Sequence, residues 1–213
     1  MYILWQIIRF ILTTFVITTL VDIILMGMIF PKFAKKTKFD KFFVSPRPDS
    51  VKTDDSSWFE FQGEGGCAGF SSAFVLRFLG EKAAGNEIFK QMPATYGNGI
   101  AFPKSITRYF KKRGVKVKAC MGNLAALKNE ISLGKPVIVV IRSFVGKSFL
   151  HFACITGYDE EFIYFADSIK DWVNVNDSAA YYNRKVPVEE FKKLWNTSML
   201  KMPLYFNIYY QIR

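Results

Sequence analysis

The order of hydrophobic patterns along the chain predicts an α+β domain, helices first and an antiparallel sheet afterwards, preceded by one transmembrane helix. Three observations carry this. From Ile3 to Phe30 the sequence is almost continuously apolar. From Cys67 to Leu133 apolar residues recur mostly at helical spacing, and from Pro136 the pattern turns to β-branched runs and alternation. A chain of 213 residues that is 50% hydrophobic and 17% aromatic can bury a sizeable core, which excludes global disorder.

The first apolar segment is interrupted only by Gln6, Arg9, threonines, Asp22 and Gly27, and its densest part runs from Phe10 to Ile29. About 20 such residues cross the hydrocarbon core of a bilayer. The run is too long for an ordinary signal-peptide core and no small-residue cleavage site follows it, so a retained single-pass anchor over residues 1–30 is expected. Lys32, Lys35, Lys36, Lys38 and Lys41 follow at once, against Arg9 and the terminal amine on the other side. By the positive-inside rule this asymmetry puts the following domain on the cytoplasmic face, and the lysines suit anionic lipid headgroups. Residues 31–57 therefore read as a basic juxtamembrane linker and 58–213 as the folded domain.

Within that domain a Gly-rich turn runs into a helix starting at Cys67, with Phe70, Phe74, Leu76, Phe78 and Leu79 as its apolar face and Gly80 as its stop. Asn86 to Gln91 reads as a short helix and Met92 to Gly99 as a loop. Pro103 to Arg113 is a helix with Pro in its first turn and Gly114 at its end. Lys111, Lys112 and Arg113 are then a solvated helix terminus at the negative pole of the dipole. Val115 to Ala119 alternates like a strand, and Asn123 caps a helix through Leu133. Pro136 to Arg142 is a continuous β-branched run, expected as a central strand. Phe149 to Tyr158 and Phe162 to Asp167 form a hairpin around Asp159, Glu160 and Glu161. Val188 to Trp195 is a short amphipathic helix, and Pro203 to Ile212 is a closing strand.

Composition removes several classes of function. Cys67, Cys120 and Cys154 make no CxxC pair and are odd in number, which suggests neither a disulfide framework nor a zinc ribbon. A single histidine, His151, rules out a multi-His metal site. No metal or organic cofactor is expected. The formal charge of +11 is spread along the chain with no nucleic-acid motif beside it, so the membrane is the expected partner and nucleic acid is not.

Three residues point to nucleophilic chemistry. A buried cysteine usually serves as a small hydrophobe, but Cys67 opens a helix, where unpaired amides and the dipole favour thiolate over thiol. His151 lies near the start of one hairpin strand and Asp167 closes the other, so antiparallel pairing can bring them together. A thiolate needs an adjacent imidazole, and the imidazole needs a partner that fixes its tautomer. Cys154, three residues past His151 on the opposite strand face, is expected in the core, and Cys120 follows a strand.

Gln62, the Cys67 segment, Gly134-Lys-Pro-Val-Ile-Val139, His151-Phe-Ala-Cys-Ile-Thr-Gly-Tyr158, Asp167 and the 188–195 helix together resemble papain-like cysteine peptidases of the double-glycine leader peptidase type, over residues 58 to 198. The resemblance implies a papain-like fold, Cys67 as nucleophile, His151 as general base, Asp167 as its orienter and Gln62 as an oxyanion-hole donor. It implies hydrolysis of a peptide or amide bond through a thioester. Two positions depart from the family pattern: Ala68 stands where glycine commonly follows the cysteine, and Gln62 precedes Cys67 by five residues where six is frequent. An acyltransferase with the same thioester chemistry and a catalytically inactive, membrane-tethered peptide-binding module are the alternatives.

Overall fold

A computed structural model describes residues 2–26, 48–53, 58–93, 95–96, 99–143, 149–177, 181–197 and 206–213. The lysines expected at 32–41 lie outside these residues, as does the side chain of Asp22. Helix α1 spans Tyr2–Met26, and its segment Tyr2–Val21 has the length and a mean hydropathy of 1.8 that a membrane span requires. The apolar stretch thus becomes helical from its first residues, ahead of the densest part of the run.

The core of the domain is an antiparallel sheet. Its strands are β4 (Val117–Met121), β9 (Ile208–Ile212), β5 (Val137–Arg142), β6 (Leu150–Tyr158), β7 (Phe162–Ala166) and β8 (Arg184–Pro187), side by side in that order. The short β1 (Val51–Lys52) pairs with the far end of β6, inside the segment expected as linker. Helices cover both faces. On one lie α2 (Cys67–Phe78), α3 (Gly85–Gln91) and α4 (Pro103–Lys112), over Ile138, Val140, Phe152 and Cys154. On the other lie α5 (Leu124–Ile131) and α6 (Val188–Trp195), over Val137, Val139, Ile141, Ala153 and Ile155. Alternate residues of β5 serve opposite cores, which is why its sequence shows no polar side at all.

Several elements depart from their sequence expectation for local reasons. Strand β4 starts two residues late because the Val115 amide closes the end of α4 on Phe110 O, and it runs on through Cys120, which is buried within the strand. Strand β9 begins at Ile208, just after Asn207, which is left-handed at φ 50°, and residues 203–205 lie outside the described residues. The segment expected as a loop after α3 carries β2 (Thr95–Tyr96), which pairs with β3 (Ile100–Ala101). Helix α5 is capped as expected by Asn123 Oδ1, 2.9 Å from the Ala126 amide, and its last turn ends at Ile131. Helix α2 is buried almost all round, including Ser71, Ser72, Ala73 and Val75, whereas Leu79 is exposed. Ser71 meets the polar requirement of that burial by donating to Phe152 O at 2.8 Å, which ties α2 to β6.

The β6–β7 hairpin has the expected three-residue connection, and Asp159 does the work a glycine would otherwise do. Its Oδ1 accepts from the Glu161 and Phe162 amides and closes the turn. Beyond the turn, the pairing Gly157 to Tyr164 shifts to Ile155 to Phe165, so Thr156 is an extra residue, a β-bulge. Strand β1 holds it: the Thr53 amide donates to Thr156 O at 2.7 Å. Gly157 permits this approach, since a Cβ there would lie 2.4 Å from Val51 O.

Candidate active site

Cys67 is the first residue of α2, and Gly66 before it is left-handed at φ 82°. No side chain caps this end; the Gly69 amide closes on Gly66 O at 2.8 Å, and the Ala68 amide before it turns to the Cys67 thiol. Glycines let neighbouring segments close on the start of α2, α3 on its flank and the chain before β3 on the turn that precedes it. A Cβ on Gly69 would lie 2.4 Å from Gly85 O, and one on Gly99 would lie 2.8 Å from Gly65 Cα. The backbone approach that demands glycine falls at Gly69, and Ala68 instead fills the core, fully buried. Cys67 itself is half-buried, and its Sγ accepts from the Phe152 amide at 3.5 Å.

Phe152 follows His151, and this brings the imidazole to the thiol. His151 is buried, with Nε2 3.0 Å from Asp167 Oδ1, which leaves Nδ1 as the ring nitrogen available to Cys67. Trp172, on a short 3₁₀ turn at Lys170–Trp172, meets the imidazole edge to face at 5.0 Å between centroids. The bulge at Thr156 decides this pairing. With Cys154 opposite Ala166, continuing the register sets Asp167 opposite Ala153, on the same strand face as His151. Had the register of the turn continued unshifted, Asp167 would lie opposite Cys154, on the other face.

Burial disfavours all three charged forms, and the neighbours reverse it. For Cys67, hydrogen bonding and charge from His151, with the Phe152 and Ala68 amides, hold the thiol below its ordinary value. For His151, the charge and hydrogen bond of Asp167 and then those of Cys67 outweigh desolvation and raise it to about 9. For Asp167, His151, Arg184 and the Ile169 amide together lower it to about 2. Each shift runs toward the charged form, thiolate, imidazolium and carboxylate in series. Such an array can attack an acyl carbon and return a proton to the leaving group.

Gln62 joins through Ser168, the residue after Asp167. The Gln62 amide donates to Ser168 O at 2.9 Å, and its side-chain Oε1 accepts from Ser168 Oγ at 2.7 Å. With Oε1 occupied, the side chain offers its Nε2 hydrogens as donors. The segment leading to Gln62 is fixed by Glu60, whose carboxylate takes the Gly85 amide and pairs with Arg77 at 3.1 Å. Cys154 is fully buried in the core under α2, as expected. Among the described residues, no group of three or more His, Cys, Asp and Glu side chains could hold a metal ion.

Sequence reasoning passed over two residues that hold Asp167. Asn183 receives the Asp167 amide on Oδ1 and donates Nδ2 to its carbonyl, each at 2.8 Å. Arg184 Nη1 donates to Asp167 Oδ2 at 2.7 Å. A four-residue strand that begins at Arg184, with Asn183 just before it, carries no periodic signal, and only the pairing of β8 with β7 places it there.

Residues 53–199 match the Peptidase_C39 like family. The chain belongs to that family. This C39-like cysteine peptidase is also similar in fold to a C39-like peptidase from Bacillus anthracis, with a TM-score of 0.57 at 16% identity over 78% of this chain and 98% of that one. It is similar to the peptidase domain of Streptococcus ComA, a bi-functional ABC transporter involved in a quorum sensing pathway, with a TM-score of 0.53 at 14% identity over 72% of this chain and 96% of that one. No curated protein sequence matches the chain.

Proposed function

We propose that this peptidase cleaves a peptide bond with Cys67 as nucleophile, His151 as general base and acid, Asp167 as the orienter of His151, and Gln62 with the Cys67 amide as oxyanion donors. The observation that carries the reading is the chain of contacts from the Cys67 thiol to His151 to a buried Asp167 carboxylate. The Cys67 thiolate attacks the scissile carbonyl, charge builds on the carbonyl oxygen beside the Gln62 amide and the helix N-terminus, and His151 hands its proton to the leaving amine. Water, activated by the same imidazole, then hydrolyses the thioester. Residues 58–213, with β1 of the preceding segment added to their sheet, form the catalytic unit, 1–30 anchor it in a membrane and the rest of 31–57 links the two. The length and hydropathy of Tyr2–Val21 support the anchor, and the lysines at 32–41 favour a cytoplasmic catalytic domain.

Iodoacetamide and peptide mapping test the nucleophile. Cys67 is expected to react at neutral pH well ahead of the buried Cys120 and Cys154. Cys67→Ala is expected to lower turnover of a cleavable leader-type peptide by at least about 10⁴-fold. Equal labelling of the three thiols, or full activity in Cys67→Ala, would overturn the reading.

A further inference from the structure

Arg184 is among the few charged side chains buried in the domain, at 8% exposure. Its guanidinium reaches the Asp167 oxygen that His151 does not use, and it lies over the rings of Trp172 at 4.8 Å and Phe165 at 5.6 Å. Asn183, one residue earlier, grips the Asp167 backbone from both sides of its peptide. Asn183 and the first residue of β8 thus clamp one aspartate, Asn183 by its backbone and Arg184 by its carboxylate. Stability alone is a weak reason for it, because a buried ion pair commonly does no better than apolar residues of the same volume.

We propose that Arg184 is a positioning residue of the acid–base pair: it holds the Asp167 carboxylate in the plane that meets His151 Nε2 and restrains how strongly that carboxylate stabilises the imidazolium. The guanidinium is planar and its donors are fixed in direction, so the carboxylate it binds cannot rotate away from His151. Its positive charge opposes a second positive charge on the imidazole across the shared carboxylate. The groups that face this cluster are few. Cys67 approaches from α2, Asp167 from the end of β7 and Arg184 from β8. Glu60 and Arg77 lie beside Asp167 and pair with each other, and Lys170 and Asp171 on the Trp172 turn are exposed. Arg184 is therefore the one buried cation on the carboxylate besides the imidazolium itself, among the described residues. The inference rests on the triad reading above.

His151 is the only histidine in the chain, so one set of ring ¹⁵N signals reports it without assignment. The full chain in detergent micelles, labelled with ¹⁵N-histidine, is titrated as wild type, Arg184→Gln and Arg184→Lys. Arg184→Gln removes the charge, and the His151 midpoint is expected to rise by about one pH unit. Arg184→Lys keeps the charge and loses the planar fork, so the midpoint is expected to stay while iodoacetamide reacts with Cys67 about tenfold more slowly at the plateau of its pH profile. A purely structural arginine would lower the melting temperature and move neither readout. An unchanged midpoint in folded Arg184→Gln overturns the proposal. Should that variant fail to fold, Arg184→Lys with wild-type midpoint and wild-type alkylation overturns it. The ring titration requires no substrate, so failure of the peptidase reading, seen as unselective labelling of Cys67, is distinguishable from failure of this one.

Discussion

Cys67 owes its setting to a few residues of contiguous chain: two glycines in a row, a helix start and a flank cleared for close packing. His151 and Asp167 owe theirs to β6, the end of β7, the Trp172 turn and the start of β8, brought together by pairing across the sheet. The thiol side is local, and the acid–base side is a matter of register. Damage to the first should stay where it is made. Damage to the second can come from a residue that touches none of the reacting groups, because a one-residue slip in a strand changes which face every later side chain occupies.

The spacing of β6 between the turn and the site is the sharpest place to break that contrast. Deleting Thr156 removes the bulge but changes no partner on either side of it, so Asp167 stays opposite Ala153 and little activity is expected to be lost. An alanine inserted between Ala153 and Cys154 instead takes the place opposite Asp167 and turns His151 to the other face. Activity is then expected to fall by about 10³-fold, with the His151 titration returning toward its ordinary value, while circular dichroism still shows the sheet. Retained activity would mean that β6 absorbs the inserted residue as a second bulge. Gln62→Ala leaves the triad geometry alone and is expected to lower kcat about 10²-fold with little change in KM, measured on the same peptide.

A smaller effect appears in stability against pH. The Asp167 value is depressed in the folded state to about 2, so its contribution is present above the unfolded carboxylate range and lost as pH falls through that value. The His151 value is raised to about 9, so its contribution is complete below the unfolded imidazole value and lost as pH rises through 9. Chemical denaturation should therefore give a broad maximum between about pH 4 and 6.5, with about 2 kcal/mol lost on the acid side through Asp167. Asp167→Asn should flatten that acid limb. The smallest effect is expected from Ser168→Ala, which frees the Gln62 side chain to flip: kcat falls about tenfold, and combining it with Gln62→Ala adds nothing further. Full additivity of the two would show that Ser168 acts independently of Gln62.

Much of the domain was legible because it rests on periodicity. The β-branched run at 137–142 reads as a central strand since both its faces are buried, and Gly80 and Asn123 end and begin helices through backbone and cap bonds that their residue types imply. The hairpin turn at 159–161 was legible despite its missing glycine, because two apolar strands on either side leave no other place to reverse. What escaped were elements whose reason lies elsewhere in the chain. Strands β1, β2, β3 and β8 are two to four residues long and exist through their partners.

The sequence by itself determined the apolar first segment, the cysteine at a helix start, the hairpin that carries His151 and Asp167, and the family pattern joining them. These are properties of residue type and spacing, which the backbone converts directly into local structure. Only the tertiary structure decided that Asp167 faces His151, that Ser168 turns the Gln62 amide, and that Arg184 takes the second carboxylate oxygen. Each of these depends on which strand lies beside which and in what register, and a bulge of one residue at Thr156 is enough to change the answer.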